Sequence, residues 1–99
     1  MAEVRILVAD DHEVVRHGLA LMLNLEPGFR VVGQAHTGLQ AVAEVERLRP
    51  DVALLDLKMP EMDGRAAAAR IKQRFPATRV IILSGAEINE EISEALEKD

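Results

Sequence analysis

The sequence predicts an α/β fold, a parallel sheet covered by helices on both faces. Two observations carry that reading. Short apolar runs alternate with longer amphipathic ones in the order βαβαβαβα, with no linker, repeat or low-complexity segment between them. The short runs are also apolar on consecutive positions, as in "VALL" and "VIIL", which marks strands buried on both sides rather than on one. Strand-helix-strand units of this kind make right-handed crossovers between parallel strands.

The elements follow in order. Val4–Ala9, "VRILVA", is a first strand rich in branched side chains. Residues 13–26 read as a helix, with Val15, Leu19 and Met22 at helical spacing, and Pro27-Gly28 stops it. Phe29–Ala35 is a second strand. Thr37 caps a helix over residues 38–49, whose Ala41, Val45 and Leu48 share a face, and Pro50 ends it. Residues 51–56, "DVALLD", form a third strand, and "KMPEMDG" is a loop with Pro60 and Asp63-Gly64 as turn signals. An alanine-rich helix over residues 64–75 comes next, for which Asp63 is an available cap, although turn formation is the commoner role of such an aspartate. "RVIILSG" over residues 79–85 is a fourth strand, and residues 88–99 form a fourth helix with Ile88, Ile92 and Leu96 in line.

Composition narrows the functions. The chain has 99 residues, one domain over residues 1–99, and a hydrophobic share of 48% supports a core. A net charge of -5 argues against nucleic-acid binding by this chain, since phosphate affinity needs an excess of lysine and arginine. The absence of cysteine excludes disulfides and thiolate metal sites. The first apolar run is too short for a signal peptide and ends in acids, and no run approaches the roughly 18 apolar residues of a membrane span. These features lead to the expectation of a soluble, cytoplasmic protein without membrane association.

In open parallel sheets ligands sit beyond the carboxyl ends of the strands, where the strand order reverses. Asp10 and Asp11 follow the first strand, Asp56 ends the third and Ser84 lies at the end of the fourth. If the first and third strands are neighbours, three carboxylates and a hydroxyl converge. Such a crowd of acids calls for a cation, and oxygen donors without a cysteine or histidine cluster favour Mg²⁺ over Zn²⁺. A carboxylate beside Mg²⁺ is also a nucleophile toward phosphorus; Asp56, a lone acid at the end of a buried strand, is the candidate. Ser84 would donate a hydrogen bond to a phosphoryl oxygen. Each residue alone has a plainer role: Asp11 a helix cap, Asp56 and Asp63 turn formers, Ser84 a polar strand end. His12, His17 and His36 are expected at the surface, Met59 and Met62 in loop packing, and the last helix presents a solvated acidic face.

Taken together, "ILVADDHEVVRHGLALML", "PDVALLDLKMPEMDG" and "RVIILSG" resemble the response-regulator receiver domain of two-component signalling. The "DDHEVVRHGL" form is similar to the NarL/LuxR-type subgroup. The resemblance covers the whole chain and implies a flavodoxin-like (CheY-like) doubly wound sheet, of order 2-1-3-4 with a fifth strand missing. It implies that Asp56 is the phospho-acceptor and that Asp11, Asp56 and the backbone carbonyl of Lys58 hold Mg²⁺. Asp10 would act largely through a metal-bound water, and Ser84 is the switch hydroxyl. Pro60 and Gly64 match the loop after the acceptor, while Lys58 and Ala86 occupy positions that tune the lifetime of the phosphoryl group. The implied partner is a sensor histidine kinase, and the full-length protein is expected to carry a DNA-binding domain.

The sequence departs from the family after the fourth helix. The fifth strand, with its phosphoryl-contacting lysine, and the fifth helix are not present; Lys98 lies too near Ser84 to be that lysine. A truncated receiver is the expectation, with Mg²⁺ binding kept and phosphorylation weakened or lost. The exposed fourth strand and helix should then drive self-association, as a dimer or a swapped arrangement, or a rearrangement of the fourth helix. Two other classes compete: a phosphorylation-independent interaction module, and a Mg²⁺-dependent phosphohydrolase, whose usual second acid two residues after the nucleophile is replaced here by Lys58.

Overall fold

The computed structural model describes residues 3–83. Seven elements lie within them: β1 (Val4–Ala9), α1 (Glu13–Leu25), β2 (Phe29–Ala35), α2 (Gly38–Leu48), β3 (Val52–Asp56), α3 (Gly64–Arg74) and β4 (Arg79–Leu83). The expected fourth helix, together with Ser84, Gly85, Ala86 and Lys98, lies outside the described residues. The four strands form a parallel sheet in the order β2-β1-β3-β4. The α/β class and the strand order are therefore as expected.

The consecutive apolar residues of β1 and β3 divide between two cores by simple alternation. Leu7, Ala9, Ala53 and Leu55 face one side, where α2 contributes Ala41, Val42 and Val45 and α3 contributes Ala67, Ala68 and Ile71. Ile6, Val8, Val52 and Leu54 face the other, against Leu19 and Leu23 of α1. Both strands need both faces apolar because helices cover both. Truncating one of these fully buried leucines costs about 2–5 kcal/mol.

Handedness produces this division. The chain steps from β1 outward to β2, then back across β1 to β3 and on to β4. With right-handed crossovers, that reversal puts α1 on one face and α2 and α3 on the other. A crevice opens where the two directions part, at the carboxyl ends of β1 and β3.

Several boundaries shift for local reasons. Helix α1 ends at Leu25, and Glu26 is already extended at φ -81°, ψ 129°, the conformation that Pro27 imposes on the residue before it. Arg49 leaves α2 with a left-handed φ of 49°. Asp51 precedes β3 and accepts the Arg5 N–H on its side chain. The buried face of α1 is Leu19, Ala20 and Leu23; Val15 and Met22, expected on that face, are 44% and 53% exposed. Apolar residues run nearly all round α1, so spacing alone does not select its inner face.

Both caps are formed. The Thr37 side chain accepts the Gln40 N–H at 3.0 Å, and the Asp63 carboxylate accepts the Ala66 N–H at 2.8 Å, so Asp63 is a helix cap and not merely a turn former. Met59 is buried in the core, with Met62 packed against it. Among the described residues no helix is long and apolar enough to cross a membrane.

Candidate functional site: an acid pocket at the carboxyl rim

Parallel pairing of Ala9 with Leu55 puts the residues that follow each of them side by side. Asp10 and Asp11 emerge from β1, Asp56 closes β3, and the three carboxylates meet. Together with the imidazole of His12 they offer four ligand atoms, all within 4.8 Å of one another. The expected convergence of Asp10, Asp11 and Asp56 is thus present.

Each acid is held differently. Asp10 is buried, 4% exposed; its N–H donates to the Ala35 carbonyl at 3.0 Å, extending the β1-β2 ladder by one bond. Its carbonyl accepts from the Arg16 guanidinium at 2.8 Å, so α1 ties down the end of β1. Asp11 is exposed, and Asp56 is half-buried. Burial, and then the charge of Asp10, push the Asp56 carboxyl above its ordinary value of 3.8, against the opposing pull of the Leu57 N–H and of His12.

His12 is the residue that pattern reading missed. It is exposed, as expected of a surface histidine, yet its Nδ1 lies 2.8 Å from Asp10 Oδ1 and 3.2 Å from Asp11 Oδ1. Its N–H also donates to Asp10 Oδ1 at 2.8 Å. A hydrogen bond to Asp10, followed by the charge of Asp11, raises the His12 pKa above 6.5. His12, not Asp11, occupies the N-cap position before α1, and its side chain makes no capping bond. The available signal was local: an aspartate readily turns back to the N–H two residues on, which brings the ring of Asp-Asp-His toward both acids. His17 and His36 lie elsewhere, along an open groove between α1 and β2.

The loop after β3 is fixed by two close approaches. The Gly64 N–H donates to the Leu57 carbonyl at 2.8 Å, and a Cβ at Gly64 would run into the backbone carbonyl of Asp56. Gly38 sits likewise against the Met62 carbonyl. The starts of α2 and α3 therefore both clamp the loop that carries Lys58 and Pro60. Lys58 is exposed in that loop, two residues beyond Asp56. Ser84, the expected switch hydroxyl, lies outside the described residues.

Known proteins share both the sequence and the shape. The family model for the response regulator receiver domain matches residues 6–99. The chain is 43% identical over 94 residues to the uncharacterized transcriptional regulatory protein YhcZ of Bacillus subtilis, covering 95% of this chain and 44% of that protein. It thus spans less than half the length of that relative. The solved signal receiver domain of NarL from Mycobacterium tuberculosis superposes with a TM-score of 0.82 at 37% identity, covering 99% of this chain and 79% of that one. A chain of the CheX-CheY-BeF3-Mg complex from Borrelia burgdorferi gives a TM-score of 0.79 at 26% identity, covering 98% of this chain and 73% of that one. A match that runs through nearly the whole chain does not depend on any one motif: this chain belongs to the response regulator receiver domain family.

Proposed function

We propose that the chain accepts a phosphoryl group on Asp56 from a sensor histidine kinase, with Mg²⁺ held by Asp10, Asp11, Asp56 and the backbone carbonyl of Lys58. The observation that carries this reading is the meeting of three carboxylates at the reversal of strand order, one of them on a deeply buried residue. The donor set fits a hard divalent ion: oxygen ligands from two adjacent strands, with a carbonyl available two residues after the acceptor. When bound, Mg²⁺ supplies positive charge against the phosphoryl oxygens.

The residues of the chain do the remaining work. A carboxylate oxygen of Asp56 attacks phosphorus; the bond from phosphorus to the donor breaks, and the leaving group departs with its electron pair. Beta-strand pairing holds Asp56 rigidly beside Asp10, which positions the nucleophile. Ser84 is proposed to donate a hydrogen bond to the transferred group. Receiver domains bind Mg²⁺ at an acidic pocket, and the relative from Borrelia burgdorferi was solved with Mg²⁺ and BeF3, which supports the same ion here.

We further propose a cytoplasmic setting and work within a longer regulator that supplies DNA binding. Self-association of the chain is part of the same proposal and is testable by gel filtration across dilutions. The competing interaction-module reading makes no demand on the Asp56 carboxylate.

Incubation with acetyl phosphate and Mg²⁺, followed by intact mass, tests the proposal. Gain of one phosphoryl group, absent without Mg²⁺ and absent in Asp56→Asn, is the expected result. No gain in the wild-type chain, or an equal gain in Asp56→Asn, overturns it.

A further inference from the structure

The acid pocket holds one donor that a Mg²⁺ site does not need. His12 Nδ1 is 2.8 Å from Asp10 Oδ1 and 3.2 Å from Asp11 Oδ1, and it shares the 4.8 Å cluster with Asp56. Donor atoms bonded to one ion lie within twice a bond length of one another, about 4–4.6 Å. One ion contacts all four groups once the Nδ1 proton that bonds Asp10 is released to solvent and the donors shift by a few tenths of an ångström. The ring is placed by its own backbone, through the His12 N–H to Asp10 Oδ1, and is not engaged in capping α1. It is exposed, so adjusting it displaces no core residue.

The chemistry of the fourth donor decides which ions benefit. Mg²⁺ takes oxygen ligands and gains little from an imidazole. Ions from Co²⁺ to Zn²⁺ bind imidazole well, with affinity rising from Co²⁺ to a maximum at Cu²⁺ and falling again at Zn²⁺. Resting on the metal-site reading above, we propose that His12 supplies a nitrogen ligand that opens this acid pocket to a divalent transition ion of the Co²⁺-to-Zn²⁺ group, in competition with Mg²⁺. His17 and His36 are spatially separate from the pocket, so their contribution is removable without touching it.

Co²⁺ is the probe. Titration calorimetry of the whole chain at pH 8, with Co²⁺ and Mg²⁺ separately and in competition, is run on a His17→Ala/His36→Ala background with and without His12→Ala. Circular dichroism checks that each variant folds. The ratio of Co²⁺ to Mg²⁺ affinity is expected to fall about tenfold or more on His12→Ala. A hyperfine-shifted imidazole proton in the Co²⁺ NMR spectrum should vanish with it. A ratio unchanged by His12→Ala, while Asp11→Asn weakens both ions, overturns the His12 assignment and leaves the acid pocket standing. Binding of neither ion to the wild-type chain, or binding of both that ignores Asp11→Asn, overturns the metal-site reading itself and the His12 assignment with it.

Discussion

The two rims of the sheet treat polar groups in opposite ways. At the amino rim they satisfy one another. The Asp51 carboxylate accepts the Arg5 N–H at 2.8 Å, while the Asp51 N–H and carbonyl bond to Arg5 and Arg79, each at 2.9 Å. The Arg5 guanidinium donates to the Arg49 carbonyl at 2.9 Å, and the Arg49 guanidinium lies 4.7 Å above the Phe75 ring. The Thr78 hydroxyl donates to the Pro50 carbonyl at 2.8 Å in a buried setting. At the carboxyl rim like charges crowd instead, and Asp56 is pushed up by burial and by Asp10. A closed set of pairs leaves nothing for a ligand to complete. A crowd of carboxylates stores an unmet demand for positive charge, and that demand is what a binding site consists of.

The largest effect expected from breaking this contrast is at the amino rim. Thr78→Val keeps the shape and removes the donor, leaving the buried Pro50 carbonyl unpaired. It should cost about 1–3 kcal/mol in urea unfolding, with the slope unchanged. At the carboxyl rim the sign reverses. Asp56→Asn removes one of three converging carboxylates, so with a chelator present at neutral pH it should stabilise the chain, by less than Thr78→Val destabilises it. The gain should shrink as salt is added, because screening already relieves part of the repulsion. Adding Mg²⁺ should reverse the order, since the wild type then gains binding energy that the variant lacks. A loss of stability in Asp56→Asn under chelation would show that the rim is not frustrated and would erase the comparison.

What was legible in the sequence follows the same division. The strands and the three acids could be read because each is local: an apolar run, then an aspartate. Their convergence needed only parallel order, which alternation with helices implies. His12 was not legible, because its role depends on the turn that brings residue i+2 back onto Asp10, and pattern reading treats a histidine beside acids as surface. Spacing does not single out the inner face of α1, because Val14, Val15, Leu21, Met22 and Leu25 are all apolar and all exposed. Gly38 was silent for a different reason. Its constraint is the Met62 carbonyl, which is distant in sequence and near only once the fold exists. Asp63 is ambiguous between helix cap and turn former in the sequence, since the same carboxylate chemistry serves both.

The smallest expected effect tests whether pairing alone, outside either rim, has weight. The half-buried Glu44 and the exposed Arg47 form a two-point contact on α2, with Glu44 Oε1 accepting from an Arg47 terminal nitrogen at 2.8 Å and Oε2 from Nε at 2.6 Å. The Arg47 hydrogen bond holds the Glu44 carboxyl below its ordinary value of 4.5. An acid whose folded value is depressed stabilises the fold above its unfolded value, and loses that contribution as pH falls through the folded one. Arg47→Ala should therefore lower the thermal midpoint by about 1–3 °C at pH 7, and by nothing once the pH is well below the depressed Glu44 value. High salt should also erase the difference at pH 7, as it does for exposed pairs. A loss as large as that of Thr78→Val would mean that geometry on an open helix face counts as much as burial at a rim. The contrast drawn between the rims would then be one of charge pairing alone, with burial playing no part.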